Sequence, residues 1–389
     1  MSRKTTINGT KRIAIAVTND LTTDQRVGRC SNALTEAGYH VTLIGRTWSK
    51  DGIKTVEPKE GVVRMKLLFR RSALFYAEYN IRLFLKLVSI KPDVVYANDS
   101  DTLVGGGLAA RVMGVPLVYD AHELFPDVPE LMKKPFVRWV WRSIERCFIP
   151  RAPVRITVNQ SVADEYERRY GYKFEVVRNF SERKSIENHQ NFSKWDKDSN
   201  QHTLIYQGVI NEGRCVKEVI DAMEYLPGCR FVVAGGGDLY EEMVAYAKSK
   251  KWGNRVQFTG RLDPEKLASL TRTATLGFCM MENLGLNYYY SLPNRISDYA
   301  IAGVPVIASD FPEIKRIVGK FAIGTMVTEE TTKNPQELAS TIKKTMAYWE
   351  VMDENERKRR FEEACIEMSW NTEKKRLIKA VDSVTRCNH

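Results

Sequence analysis

Short runs of aliphatic and β-branched residues alternate along the chain with stretches whose apolar positions recur every three or four residues. Arg12 to Thr18 (RIAIAVT) predicts a first strand. A polar loop, Asn19 to Thr23, separates it from Asp24 to Gly38, where Val27, Cys30, Leu34 and Ala37 share one helical face. Gly38 suits the end of that helix, Tyr39 to Gly45 predicts the next strand, Val62 to Phe69 a third, and Phe75 to Ser89 a helix. Asp93 to Ala97, Leu117 to Asp120 and Val154 to Val158 predict further buried strands with helices between them. Strands alternating with helices imply a parallel sheet covered on both faces.

The pattern breaks near Asn179. Asn179 to His202 is polar, charged and nearly free of aliphatic residues, as expected of an interdomain linker or a long surface loop. Alternation then restarts, with strands expected at Leu204 to Gln207, Arg230 to Ala234, Val256 to Thr259, Thr275 to Met280 and Val304 to Ala308. Two or three charged helices from about Pro335 to Val384 close the chain. Two α/β halves of similar size place a small-ligand site in the cleft between them, facing the carboxyl ends of the strands.

Composition narrows the partners without naming one. The 389 residues suffice for two or three domains, and 43% hydrophobic with 28% charged residues is ordinary for a globular protein. No run is long and apolar enough for a membrane-spanning helix, and Met1 to Lys11 lacks the apolar core of a secretory signal. The net charge of +11 allows phosphate-bearing metabolites, anionic lipid or nucleic acid. No helix-turn-helix, RRM or zinc signature accompanies it, so nucleic acid is not expected as a partner. Seven scattered cysteines without a C-x-x-C pair suggest neither a zinc site nor a disulfide framework, and fit a reducing cytoplasm.

Several segments could carry chemistry. The loop TNDLTTDQRV (Thr18 to Val27), with Asp20, leads from a strand to a helix N-terminus whose amides can meet an anion; a helix start capped by Thr23 or Asp24 explains the same residues. VVAGGGDLYEEM (Val232 to Met243) fits a dinucleotide glycine motif poorly, and reads better as a tight turn with Asp238 capping the next helix. Asp99-Ser-Asp101 follows a strand. Such carboxylates can hold a divalent cation or bind acceptor hydroxyls, and Asp101 can equally cap a helix. In YDAHELFPDVPEL, His122 lies just beyond a buried strand, and Asp120 and Glu123 flank it and can set its tautomer.

In YQGVINEGRCVKEVIDAM a glycine-bearing loop with Gly208 follows a strand, and Arg214 falls at the start of a helix, where a cation neutralises a diphosphate. MENLGLNYYYSLPNRISDYAIAGVPVIASD (Met281 to Asp310) is the richest stretch. Pro293 marks a helix start, Asn294 and Arg295 lie in its first turn, Asp298 one turn further, and Gly303 at its end. A plain αβ unit with Tyr288 to Tyr290 in the core would not need this polar cluster at one end.

Together NDLTTDQRVGR, KPDVVYANDSDTL, YDAHELFPDVPEL, YQGVINEGR and SLPNRISDYAIAGVPVIASD resemble the retaining nucleotide-sugar glycosyltransferases of the GT-B fold, specifically the family 4 group in its bacterial surface-polysaccharide branch. The similarity runs from Arg12 to about Asp310. It implies two Rossmann-like doubly wound domains. Residues 1–180 would bind the acceptor, 181–202 would be the linker, 203–365 would bind the nucleotide sugar, and a helix over 366–389 would return to the first domain. The resemblance implies that Arg214 takes the place of the diphosphate-binding lysine, that Asp298 replaces the second glutamate of an E-x7-E motif holding the donor ribose, and that His122 touches the donor sugar. His122 and Arg214 are then the catalytic residues. Gly208, Glu282, Asn294, Arg295 and Asp298 bind the donor, and Asp20, Asp99, Asp101 and Glu123 the acceptor. Neither metal nor cofactor is needed.

The chain departs from the family pattern at three positions. Val209 stands where an arginine often accompanies the lysine, and Tyr290 where the first glutamate is expected. Glu282, eight residues earlier, replaces that glutamate only if the loop is remodelled, and Arg295 can supply the missing charge. The amphipathic stretches Ala73 to Lys91 and Phe136 to Arg151 mix Trp, Phe and Leu with Arg and Lys. They suggest a lipid-linked glycan acceptor and a peripheral position on an anionic membrane, although packing on the sheet with a solvated basic face accounts for them too. A sugar-nucleotide epimerase of the same architecture is the alternative enzyme.

Overall fold

The computed structural model describes residues 10–21, 24–47, 61–180 and 201–385. The chain divides into two compact units, one running through Asn179 and resuming at Asn371, the other Phe180–Trp370. Residues 181–200 of the expected linker lie outside the described residues, and the linker's last residue, His202, already opens a strand. The boundary expected after residue 365 falls at Trp370, because Phe361, Ala364, Cys365 and Met368 all pack into the core of the second unit.

The first unit is built on seven parallel strands: β1 Arg12–Ala16, β2 His40–Arg46, β3 Val62–Met65, β4 Val94–Asn98, β5 Leu117–Ala121, β6 Val154–Thr157 and β7 Glu175–Val176. Their order is β3-β2-β1-β4-β5-β6-β7. The strand order reverses between β1 and β4, and in such sheets ligands bind beyond the carboxyl ends of the strands at that point. β4 and β5 are buried along their whole length, as strands covered on both faces must be. β3 stops four residues before the hydrophobic pattern does, because the Glu78 carboxylate accepts the amides of Leu68 and Phe69 (both 2.9 Å) and turns the chain into the next helix.

The second unit repeats the plan with six parallel strands: β8 His202–Gln207, β9 Cys229–Ala234, β10 Val256–Gly260, β11 Leu276–Cys279, β12 Val306–Ser309 and β13 Gly324–Val327. Their order is β10-β9-β8-β11-β12-β13, with the reversal between β8 and β11. Both units are therefore Rossmann-like doubly wound domains. β12 starts two residues later than expected. Gly303, at φ 68°, closes the preceding helix, and the Val304 amide donates back to Tyr299. The two-residue β7 and the glycine-led β13 carry too little periodicity to be seen in the sequence.

The charged tail forms three helices, Pro335–Glu350, Glu354–Glu367 and Trp370–Thr385. The last belongs to the first unit. Its buried Glu373 accepts both the Arg178 amide (3.0 Å) and Arg178 Nε (2.9 Å), and its Asp382 takes the Tyr39 hydroxyl.

Candidate functional site

In the first unit the carboxyl ends of β1, β4 and β5 gather the acidic residues around one histidine. Asp99, just past β4, accepts the His122 backbone amide at Oδ1 (2.7 Å) and faces Nδ1 of the ring with Oδ2 (3.4 Å). Asp120, the penultimate residue of β5, faces Nε2 at 3.3 Å. Asp99 holds φ at +56°, an uncommon conformation for a side-chain-bearing residue, and its amide is tied to the Asp120 carbonyl oxygen (2.9 Å). Asp101 accepts the Thr18 hydroxyl (2.5 Å).

Asp120 is fixed from behind. Arg26, on the helix Gln25–Glu36, donates to it through Nη2 (2.7 Å) and Nε (3.3 Å), and the Tyr96 hydroxyl donates as well (2.7 Å). Arg26 is 3% exposed and Asp120 fully buried, so this is a desolvated, bidentate ion pair. Burial alone would raise the Asp120 carboxyl, but the Arg26 and His122 charges outweigh it and hold the group well below the usual range.

The other acids move the opposite way. Burial, then the Asp99 charge, pushes Asp101 up to about 7. Burial also dominates at Asp99, pushed up to about 7 with help from Glu123. For His122 burial works against the cation, yet the facing carboxylates of Asp99 and Asp120 lift it to about 9. The ring is thus an imidazolium at neutral pH, with a carboxylate oxygen facing each nitrogen. In an imidazole nitrogen NMR titration His122 should stay doubly protonated through neutrality and titrate near 9, and Asp99→Asn should bring it down toward the ordinary 6.5. A native ring titrating at 6.5 would mean that the carboxylates do not flank it in solution.

In the second unit two guanidiniums stand near the ends of β8 and β11 without a counter-ion among the described residues. Arg214 Nη1 contacts the Met281 sulfur (2.9 Å) and its guanidinium lies over the Tyr288 ring (4.4 Å). Arg295, 8% exposed at the start of the helix Arg295–Ala302, lies over the Tyr206 ring (4.5 Å). Among the described residues, Arg214 Nε and Arg295 Nη1 are buried with no hydrogen-bond partner. Both are close enough to Cys279 to oppose the burial that pushes its thiol up to about 11. A buried donor nitrogen without a partner is costly, so a site that leaves one on each of two neighbouring guanidiniums is suited to an anion.

The loop after β8 makes room for them. Gly208 has φ 127°, and a Cβ there would sit 3.4 Å from Arg295 Nη2. Gly235 (φ 154°) abuts it so closely that a Cβ would meet the Gly208 carbonyl oxygen at 1.8 Å. The glycine triplet thus braces the Gly208 loop. Asp238 does not cap the following helix. Its amide is instead held by Asn211 Oδ1 (3.0 Å).

The structure therefore brings His122, Asp99 and Asp101 together, with Glu123 near enough to act on Asp99 by its charge. Asp20 and Asp101 both act electrostatically on Arg46, whose guanidinium lies over the Phe75 ring (4.3 Å). Asp99, rather than Glu123, partners Nδ1 of His122, and Asp101 does not cap a helix. Gly208, Arg214 and Arg295 cluster in the second unit. Asp298 accepts from Gln207 Nε2 (3.0 Å), while Gln207 Oε1 takes the Thr271 hydroxyl (2.7 Å). Glu282 donates its amide to the Gly213 carbonyl oxygen (3.0 Å) and lies near Glu218 and Cys215. Asn294 is exposed and makes no side-chain cap, and the Ile296 amide is taken by Pro293. Arg26 was the main omission. It shares a helical face with Cys30 and Ala33, and an arginine in an apolar stripe signals a buried partner.

Comparison with known proteins agrees in both units. Residues 25–181 match the family model Glycosyltransferase Family 4, and residues 187–365 match Glycosyl transferases group 1. No curated protein sequence matches. Among solved structures, the chain resembles sucrose-phosphate synthase from Thermosynechococcus elongatus (15% identity, 97% of this chain and 100% of that one, TM-score 0.74). It also resembles Anabaena Alr3699/HepE in complex with UDP-glucose (16% identity, 96% and 100%, TM-score 0.70). A third is the apo form of the lipopolysaccharide outer core galactosyltransferase WaaB (14% identity, 96% and 98%, TM-score 0.67). At such identities the likeness is one of fold.

Proposed function

As the chain is a glycosyltransferase of the GT-B fold, we propose that it moves a sugar from a nucleoside diphosphate sugar to a hydroxyl of a lipid-linked glycan, with retention at the anomeric carbon, in surface-polysaccharide assembly at the cytoplasmic face of a membrane. The observation that carries the donor reading is the pair Arg214 and Arg295 at the ends of β8 and β11, the first half-buried and the second buried, whose Nε and Nη1 respectively are buried without a hydrogen-bond partner among the described residues. A diphosphate supplies what they lack. The HepE neighbour binds UDP-glucose and WaaB is a lipopolysaccharide galactosyltransferase, which supports a nucleotide-sugar donor and a glycolipid acceptor.

In the proposed reaction the bond from the anomeric carbon to the diphosphate oxygen breaks while an acceptor oxygen bonds to that carbon. Arg214 and Arg295 stabilise the charge growing on the diphosphate, preorganised so that no reorganisation is needed at the moment of reaction. His122, held as an imidazolium by Asp99 and Asp120, sets a positive charge beside the sugar and cannot serve as the base. The acceptor proton therefore passes to the leaving phosphate, which agrees with attack from the same face. Asp99 accepts the His122 amide and Asp101 the Thr18 hydroxyl, which leaves the pair too few free oxygens for the shell of about six ligands a divalent cation takes, though enough to accept a sugar hydroxyl. Transfer should accordingly persist in excess chelator. Complete loss restored by Mn²⁺ would revive a metal-binding role for Asp99 and Asp101.

Thermal-shift measurement with UDP-, GDP- and ADP-sugars tests the donor. A ligand at 100 times its Kd adds about 2.7 kcal/mol, which for a unit of this size raises Tm by roughly 5–10 °C. No shift with any of them overturns the reading. Incubating the bound donor alone separates the epimerase alternative, which would yield an epimer without an acceptor. Among the described residues no helix is long and apolar enough to cross a membrane, so access to a lipid acceptor would be peripheral.

A further inference from the structure

The first unit carries an apolar groove of about 1080 Å³, flanked by the helices Ser72–Ile90, Leu103–Met113 and Pro135–Phe148. That volume is at the upper end of small-molecule sites, roughly 300–1,000 Å³. Its floor is Trp141, packed edge-on against Tyr76 (5.0 Å) and Phe125 (4.9 Å). At its mouth Ile81, Leu85 and Phe136 are 61%, 60% and 72% exposed, and Trp139 stacks on Phe136 (6.0 Å). A contiguous exposed patch of this kind marks an interaction site. Lys134 lines the mouth, and the exposed Arg70, Arg71 and Lys133 adjoin it in the chain, opposed by Glu130. Aromatic and aliphatic side chains rimmed by cations suit the boundary of an anionic bilayer.

The inner end reaches the carboxylate cluster. Asn80, in the groove wall, donates from Nδ2 to the Asp101 carbonyl oxygen (2.8 Å) and accepts the Gly105 amide (2.7 Å). Tyr76, on the same wall, is pushed up by burial and then by the charges of Asp101 and Glu123, so it too stands beside the cluster. A molecule filling this groove is apolar along its length and ends beside the segment that carries Asp99 and Asp101. A glycolipid joins a hydrocarbon chain to a hydroxyl-rich end in just this order, which matches the apolar groove and the carboxylates beyond it.

We propose that the groove holds a single hydrocarbon chain of the acceptor lipid, with its sugar end at Asp99 and Asp101 and with the basic rim on the surrounding anionic headgroups. This rests on the glycosyltransferase reading and adds to it the place of the lipid chain.

The test is quenching of tryptophan fluorescence by a dodecyl glucoside brominated on its chain, used below its micelle concentration. In the native chain quenching should saturate, should fall sharply in Trp141→Phe, and should need at least about tenfold more probe in Ile81→Glu/Leu85→Glu, where charges enter the apolar path. Methyl glucoside should not compete. If circular dichroism shows the double variant unfolded, Leu108→Glu, at an exposed lining position, replaces it. Absent quenching, or equal quenching in native and folded charged variants, overturns the proposal. So does self-association that the charged variants abolish, which would give the groove to a second copy. Donor binding is read apart, by thermal shift. A native chain that is quenched but stabilised by no nucleotide sugar sinks the transfer reading while supporting the groove.

Discussion

Replacing Arg214 with alanine should lower turnover by at least about 100-fold, the usual cost of one preorganised group aimed at developing charge. The fold should survive. Among the described residues Arg214 makes no ion pair, touching Met281 and the Tyr288 ring, and such a change typically alters stability by no more than about 0.5–1 kcal/mol. The loss should appear mainly in kcat, because charge on the diphosphate grows as the bond breaks and the contact is stronger there than in the bound ground state. Arg214→Lys should recover part of the rate by returning the charge, but not all of it, since an ammonium lacks the planar face that rests on Tyr288. Steady-state kinetics beside a melting curve decide the matter. Turnover within a few-fold of native, at unchanged donor occupancy, would remove Arg214 from the chemistry.

The legible part of this protein is what depends on local sequence. Buried parallel strands such as β4 and β5 are runs of apolar residues, and Gly303 ends its helix because a left-handed residue is needed there. His122 and Arg214 could be singled out because each follows a strand, and strand ends are where an open α/β sheet exposes its ligands. Less legible was anything decided by the approach of distant segments. Asp99 meets His122 across 23 positions because β4 and β5 are neighbours and end nearly level with one another. The Glu78 carboxylate that ends β3 leaves no periodic trace, and Arg26 shows only as an arginine in an apolar helical stripe, with nothing to name Asp120, 94 positions away, as its partner. The groove was visible only as two amphipathic stretches, since nothing in either says that they flank a common space.

Arg26→Met should cost the first unit roughly 3–5 kcal/mol, the penalty for leaving a buried charge unpaired. Asp120 is fully buried and gives up its hydration to Arg26, Tyr96 and His122. Without the guanidinium its carboxylate must protonate or draw in water. For a unit of this size the loss corresponds to a fall in Tm of roughly 6–20 °C. The pH dependence has a definite sign. In the native chain Asp120 lies below its ordinary 3.8, so its contribution is complete above that value and is lost as pH falls through the lower folded value. The variant's Asp120 protonates more readily, so the difference between the two chains, measured by urea denaturation, should be largest near neutrality and shrink in acid. Removing both partners as Arg26→Met/Asp120→Leu should recover much of the stability, since the cost lies in the orphaned charge more than in the missing bond. The same double variant should still lower the titration of His122, which loses one of its two facing carboxylates and keeps Asp99. A double variant no more stable than Arg26→Met, or a His122 that titrates unchanged, would mean that the Arg26–Asp120 pair neither bears on stability nor sets the charge of the histidine.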